Sequence, residues 1–138
     1  MSAVQPESAY HSASDMYAET ILDYYRAPPN KGIIPKPDAH AHDVNTSCGD
    51  ELTVSVQIAD DKVIDARFDG KGCVISQAAC SMLLEFVVGK TLEEIRNIDK
   101  KDVLALLGID VSPMRLKCAL LGLKVLKMAV YERLGAQD

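Results

Sequence analysis

The feature that most constrains this chain is a change in the period of its hydrophobic residues. Leu52, Val54, Val56 and Ile58 alternate with Thr53, Ser55 and Gln57, and Ile64, Ala66 and Phe68 alternate with Asp65, Arg67 and Asp69. A period of two is that of a strand with one buried face, and Asp60-Asp61 between the runs supplies a tight turn. Gly70-Lys71-Gly72 then leads into a shorter apolar run through Cys73, Val74 and Ile75, which extends the expected sheet to a three-stranded antiparallel meander. Beyond it the period becomes helical. Ser76 is the expected N-cap of a helix carrying Met82, Leu83, Leu84, Phe86, Val87 and Val88, apolar nearly all round and ended by Gly89. Thr91 with Glu94 forms a capping box, Asp99 and Gly108 bracket a short helix, and Ser112-Pro113 opens a last helix reaching about Leu134. Strands first and helices afterwards, without βαβ alternation, predict an α+β domain: a three-stranded antiparallel sheet with helices packed on one face.

Ahead of the sheet, Met16, Tyr17, Ile21, Leu22, Tyr24 and Tyr25 form a helical stripe from Asp15 that stops at Pro28-Pro29. Residues 28–47 read as a long loop. Residues 1–14 are polar, small and aperiodic and read as a disordered tail, leaving 15–138 as one domain. A net charge of −5 disfavours a sequence-independent nucleic-acid binder, which needs surplus Lys and Arg to displace phosphate counterions. Without an apolar span of membrane length or a signal core, the expectation is a cytoplasmic protein that engages neither membrane nor nucleic acid. In a reducing compartment the four cysteines are thiols available for metal or for chemistry.

Cys48, Cys73 and Cys118 each lie near the end of an element, 25 (73 − 48) and 45 (118 − 73) residues apart. Those intervals are too wide for a zinc knuckle or a CxxC pair, so any shared site must be assembled by the fold. Cys48-Gly49-Asp50 sets a carboxylate two residues from a thiol, and extended geometry at a strand mouth would point both side chains to one side. In Gly70-Lys71-Gly72-Cys73 a thiol lies at a helix start, where the dipole and Lys71 favour thiolate.

These motifs resemble the U-type iron-sulfur scaffold family, which comprises IscU, SufU and the N-terminal domain of NifU. The likeness covers roughly Met16 to Leu134: Met16-Tyr17, Ile21-Leu22-Asp23-Tyr24-Tyr25 and Pro28-Pro29-Asn30-Lys31-Gly32 are similar to its first helix and exit. Cys48-Gly49-Asp50, Gly72-Cys73 with Ile75-Ser76, and Lys117-Cys118-Ala119 are similar to its three cysteine motifs in order. The resemblance implies a scaffold that takes sulfur from a cysteine desulfurase and builds a [2Fe-2S] or [4Fe-4S] cluster on Cys48, Cys73 and Cys118. It passes the cluster to apo iron-sulfur acceptor proteins, with Cys118 as sulfur acceptor, Asp50 as ligand or near-ligand, and a homodimer left open. Three thiolates plus a harder carboxylate suit a cluster that must leave, where durable clusters use four thiolates. The alternative is a zinc-dependent sulfur relay, in which Cys48, Asp50, Cys73 and Cys118 hold zinc and a released thiolate takes sulfur without building a cluster.

Two departures sharpen the comparison. Lys117 stands where IscU proteins carry histidine, and Ser112 to Cys118 is closer to SufU, yet the insertion SufU proteins carry before the third cysteine has no room here. The chain thus resembles a minimal or archaeal-type member. A protonated Lys117 cannot ligate metal; its expected part is to attract anionic sulfide or polarise a thiol. Arg115, Lys117, Lys124, Lys127 and Arg133 make the last helix basic, suiting an acidic desulfurase surface and a Cys118 thiolate. Cys80 reads as small core packing, His40 and His42 as ordinary loop histidines, and Tyr17 as an aromatic staple or a neighbour of the site.

Overall fold

The computed structural model describes residues 19–137. The expected tail at 1–14 and the residues Met16 and Tyr17 lie outside the described residues. Residues 19–26 are helical (α1). Strands β1 (Ala39–Asn45), β2 (Asp50–Ala59) and β3 (Lys62–Lys71) follow, and then helices α2 (Val74–Val87), α3 (Leu92–Arg96), α4 (Lys100–Leu107) and α5 (Pro113–Gln137). The sheet is antiparallel in the order β1-β2-β3. Leu52, Val54 and Val56 of β2 are fully buried with Val63, Ala66 and Phe68 of β3 under α2 and α5. Each such Val, Leu or Phe contributes about 1.5–3 kcal/mol, so the period-two runs supply most of what the sheet gives to the core.

The fold class expected from the sequence is borne out, with one strand relocated. The third strand is not Cys73–Ile75 but β1, inside the stretch read as loop. Its inward positions are Ala39, Ala41 and Asp43 rather than large apolar residues, while His40, His42 and Val44 face out. Small residues there let α5 lie close over the sheet edge, and they also hide the alternation from a search for strong hydrophobes. Cys73 is instead the N-cap of α2, its sulfur accepting from the Ser76 N–H at 3.5 Å, so Ser76 sits inside the first turn and does not cap it.

The β2–β3 hairpin turns on Asp60 and Asp61, both left-handed at φ 53° and 63°. A register shift after Gln57 makes Ile64 the extra residue of a bulge, which turns it outward and puts Val63 inside. The expected inward sequence Ile64, Ala66, Phe68 is therefore corrected to Val63, Ala66, Phe68. Both capping boxes at α3 and α4 are formed, and Gly108 ends α4 at φ 70°.

The site depends on two close approaches. Gly70, at φ 142°, runs so near the Glu51 carbonyl that no side chain fits. On the other side of the core, Gly122 of α5 meets Cys80 of α2, where a Cβ would lie 3.0 Å from the Cys80 Cβ and 3.1 Å from its sulfur. That contact packs the middle of α2 against the N-terminal half of α5.

Candidate metal centre

Three chain reversals converge at one end of the sheet: the Asn45–Gly49 turn, the β3–α2 joint and the first turns of α5. Cys48, Cys73 and Cys118 line one open cavity of about 680 Å³ with Ser47, Pro113, Met114, Arg115 and Lys117. All are free thiols, Cys48 exposed, Cys73 half-buried and Cys118 buried. The Cys118 Sγ lies 2.8 Å from the Cys48 Sγ.

Asp50 lies beside these thiols, its carboxylate close to the sulfurs of Cys48 and Cys118. It is the first residue of β2 and wholly buried, reached through a left-handed Gly49 (φ 74°) rather than by the extended geometry the sequence suggests. Its Oδ1 accepts the Cys73 N–H at 2.9 Å, while Oδ2 is buried with no hydrogen-bond partner. A Cβ at Gly72 would fall on this carboxylate and on the Ser76 hydroxyl, so only glycine leaves it room. An unpartnered carboxylate oxygen in the interior costs about 1–3 kcal/mol or more unless something compensates it, and a cation among these thiols would.

Ligand atoms of Cys48, Asp50 and Cys118 all lie within 4.8 Å of one another. Two ligands of a tetrahedral metal, bound at about 2.0–2.3 Å, are separated by roughly 3.3–3.8 Å, so modest side-chain adjustment suffices. Cys73 fronts the same cavity, but its sulfur is turned to the α2 N-terminus. Soft thiolates beside one hard oxygen suit zinc or cluster iron.

The electrostatics of the metal-free site differ from expectation. Burial first, then the neighbouring Cys48, Asp50 and Cys73, push the Cys118 thiol far above its ordinary range. Exposed lysine and arginine on α5 do not outweigh that, so the expected standing thiolate is not what the geometry favours. Metal entry would have to release the proton. Lys71 is likewise not poised over Cys73: its ammonium lies 3.7 Å from Glu51 on the outer sheet face.

Lys117 is exposed and lines both the thiol cavity and a groove formed by Val44, Asn45, Leu120, Leu121 and Lys124. Lys124 bonds Asp43 at 2.6 Å, leaving Arg115 and Lys117 as the basic groups at the mouth. Cys80 stands apart in the α2–α5 contact, and burial raises its thiol to about 12. His40 and His42 are strand rather than loop residues, and the His42 Nε2 lies 3.2 Å from Glu51 on the outer face. The sequence analysis passed over Asn45, for which the run Asn45-Thr46-Ser47 was the available signal of a side-chain-built turn.

This constellation defines a class of protein: a small α+β domain carrying three thiols that line an open cavity, with a buried carboxylate beside them. The profile of the NifU-like N terminal domain matches residues 16–137, and the chain belongs to that family. It is 37% identical to an iron-sulfur cluster assembly scaffold protein IscU from Thermotoga maritima, over 83% of this chain and 92% of the relative. It is 33% identical to the zinc-dependent sulfurtransferase SufU of Bacillus subtilis, over 87% and 92%. Among solved structures, the SUF-system protein FiSufU from Fervidobacterium islandicum AW-1 superposes with a TM-score of 0.71 at 32% identity, covering 81% of this chain and 94% of that one. A Brucella abortus NifU-like N-terminal structure shares the fold at TM-score 0.71 and 21% identity. Among the described residues no helix is long and apolar enough to cross a membrane.

Proposed function

We propose that this chain is a scaffold for iron-sulfur cluster assembly, with the cluster as cargo rather than as a permanent cofactor. The observation that carries the reading is the buried Asp50 carboxylate, one oxygen unpartnered, beside thiols that open onto a wide cavity. Cys48, Cys73 and Cys118 supply soft ligands and Asp50 a hard one, and a mixed set on an open rim holds a cluster that an incoming thiol can displace. Residues 15–138 act as the scaffold domain.

Sulfur enters at Cys118. Once deprotonated, its sulfur attacks the outer sulfur of a desulfurase persulfide; the donor S–S bond breaks, the donor keeps the electron pair as thiolate, and a new S–S bond forms on Cys118. Arg115 and Lys117 at the mouth attract anionic sulfide and an acidic desulfurase surface, and Lys117 acts by charge and not as a ligand. A two-electron reductant then takes this sulfane sulfur to sulfide as iron is added, and completed [2Fe-2S] cargo moves to apo iron-sulfur acceptor proteins.

The second reading, a zinc-dependent sulfur relay on the same four residues, draws support from the Bacillus relative and from Lys117. Anaerobic purification and reconstitution separates them: bound iron and acid-labile sulfide with sulfur-to-iron absorption are expected. A colourless protein that holds zinc, refuses a cluster and still accepts persulfide sulfur would replace the scaffold with the relay.

A further inference from the structure

We propose that Asn45 is a positioning residue for Cys48, holding its sulfur through an amide N–H···S hydrogen bond. The inference rests on the metal-site reading above and concerns a residue which that reading does not use. Asn45 closes β1 and pairs in register with Asp50, so it lies beside two of the prospective ligands. Its carbonyl accepts the N–H groups of Cys48 at 3.2 Å and Gly49 at 2.9 Å, and its Oδ1 accepts the Ser47 N–H at 3.2 Å. Those three bonds build the turn, aided by the left-handed Gly49.

The fourth bond does something else. The Asn45 Nδ2 donates to the Cys48 Sγ at 3.5 Å, which turn-building does not require. Cys48 is the most exposed of the three thiols and sits on the least regular backbone, so it needs outside help to hold one rotamer. An amide is a neutral donor that does not itself ligate through nitrogen, so it can steer the sulfur without competing for the metal. Hydrogen bonds of this kind to ligand sulfur orient it and withdraw electron density, which tunes how firmly a metal is held.

Anaerobic titration with Co(II) tests this, because thiolate-to-cobalt charge transfer reports the sulfur ligands whether the natural cargo is a cluster or zinc. Asn45→Ala and Asn45→Asp are both expected to bind Co(II) about tenfold more weakly than the parent, with the band moved to lower energy. Asn45→Asp keeps the oxygen acceptor for Ser47 and adds a negative charge that by itself would tighten a dication. Weaker binding there, together with the band at lower energy, therefore marks the lost N–H donor, and this variant decides the matter even if Asn45→Ala fails to fold. Thermal unfolding of the metal-free proteins monitors the turn separately. Asn45→Asp binding as tightly as the parent or tighter, with the band unmoved, would overturn the role for Asn45 and leave the metal site standing. A parent that gives no thiolate-to-cobalt band would overturn the metal-site reading itself.

Discussion

Cys118 and Cys80 lie one in each of the two helices that cover the sheet, and both are nearly inaccessible, at 3% and 0% exposure. Burial is the first cause of the upward displacement of both thiols. Their surroundings differ in every other respect. Cys118 has the Cys48 sulfur 2.8 Å away and opens on the cavity, whereas Cys80 faces the backbone of Gly122. Burial by itself makes cysteine a small hydrophobe, and only convergence of other donors at element ends makes it part of a site.

The widest expected separation between the two regions is in metal retention. Serine at Cys48, Cys73 or Cys118 should abolish retention of a reconstituted cluster or reduce it to traces, because each removes one of three soft ligands. Cys80→Ala should keep the parent's content of iron and sulfide per chain. Equal loss at Cys80 would erase the contrast and mean that the ligand set is misassigned.

At the Cys80 end the expected effect is on folding. Gly122→Ala would gain up to about 1 kcal/mol of helix propensity, but its Cβ would lie 3.0–3.1 Å from Cys80 atoms, including the Cα, and overpacking of that kind costs about 1–3 kcal/mol. Packing should win by roughly 1 kcal/mol in denaturant unfolding. Cys80→Ala in the same chain should return part of the loss by removing the sulfur that the new methyl meets. Additive effects of the two substitutions would show that the contact is looser than drawn.

Within the site, Asp50 differs in sign from its thiol neighbours. Asp50→Ala removes a hard ligand while leaving three thiolates, so a cluster should still assemble, stay longer and reach an apo-ferredoxin several-fold more slowly. Release rates followed by visible absorption measure this. Faster loss than in the parent would show that Asp50 retains the cargo instead of loosening it.

How much of this was legible in the sequence follows from what each feature needs. β2, β3 and the caps of α3 to α5 were readable because large apolar residues and capping side chains act locally. β1 was not, since its inward alanines are defined by the closeness of α5, a tertiary fact. The bulge at Ile64 escaped for a related reason, as its phase depends on the partner strand. Spacings of 25 and 45 residues could not by themselves say that Cys48, Cys73 and Cys118 face one cavity; the family resemblance suggested it. The basic residues of α5 suggested a thiolate at Cys118, but charge in solvent is weak against burial and neighbouring acidic groups.

The smallest expected effect sharpens the comparison from the Cys80 side. A thiol raised to about 12 from an ordinary value near 9 binds its proton more tightly folded than unfolded. Its contribution to stability is therefore complete below about pH 9 and is lost as pH rises toward about 12, with a slope of at most about 1.4 kcal/mol per pH unit. Cys118, also raised, adds an alkaline slope of its own, so the parent alone cannot isolate Cys80. The difference between parent and Cys80→Ala can, because only one of the two groups changes. With reductant and chelator present, Cys80→Ala should be somewhat less stable at roughly pH 8 through its lost packing, and that deficit should shrink or reverse by roughly pH 10.5. A deficit that stays constant across this interval would mean that Cys80 does not hold its proton through the buried contact with Gly122, and the inert half of the comparison would fail.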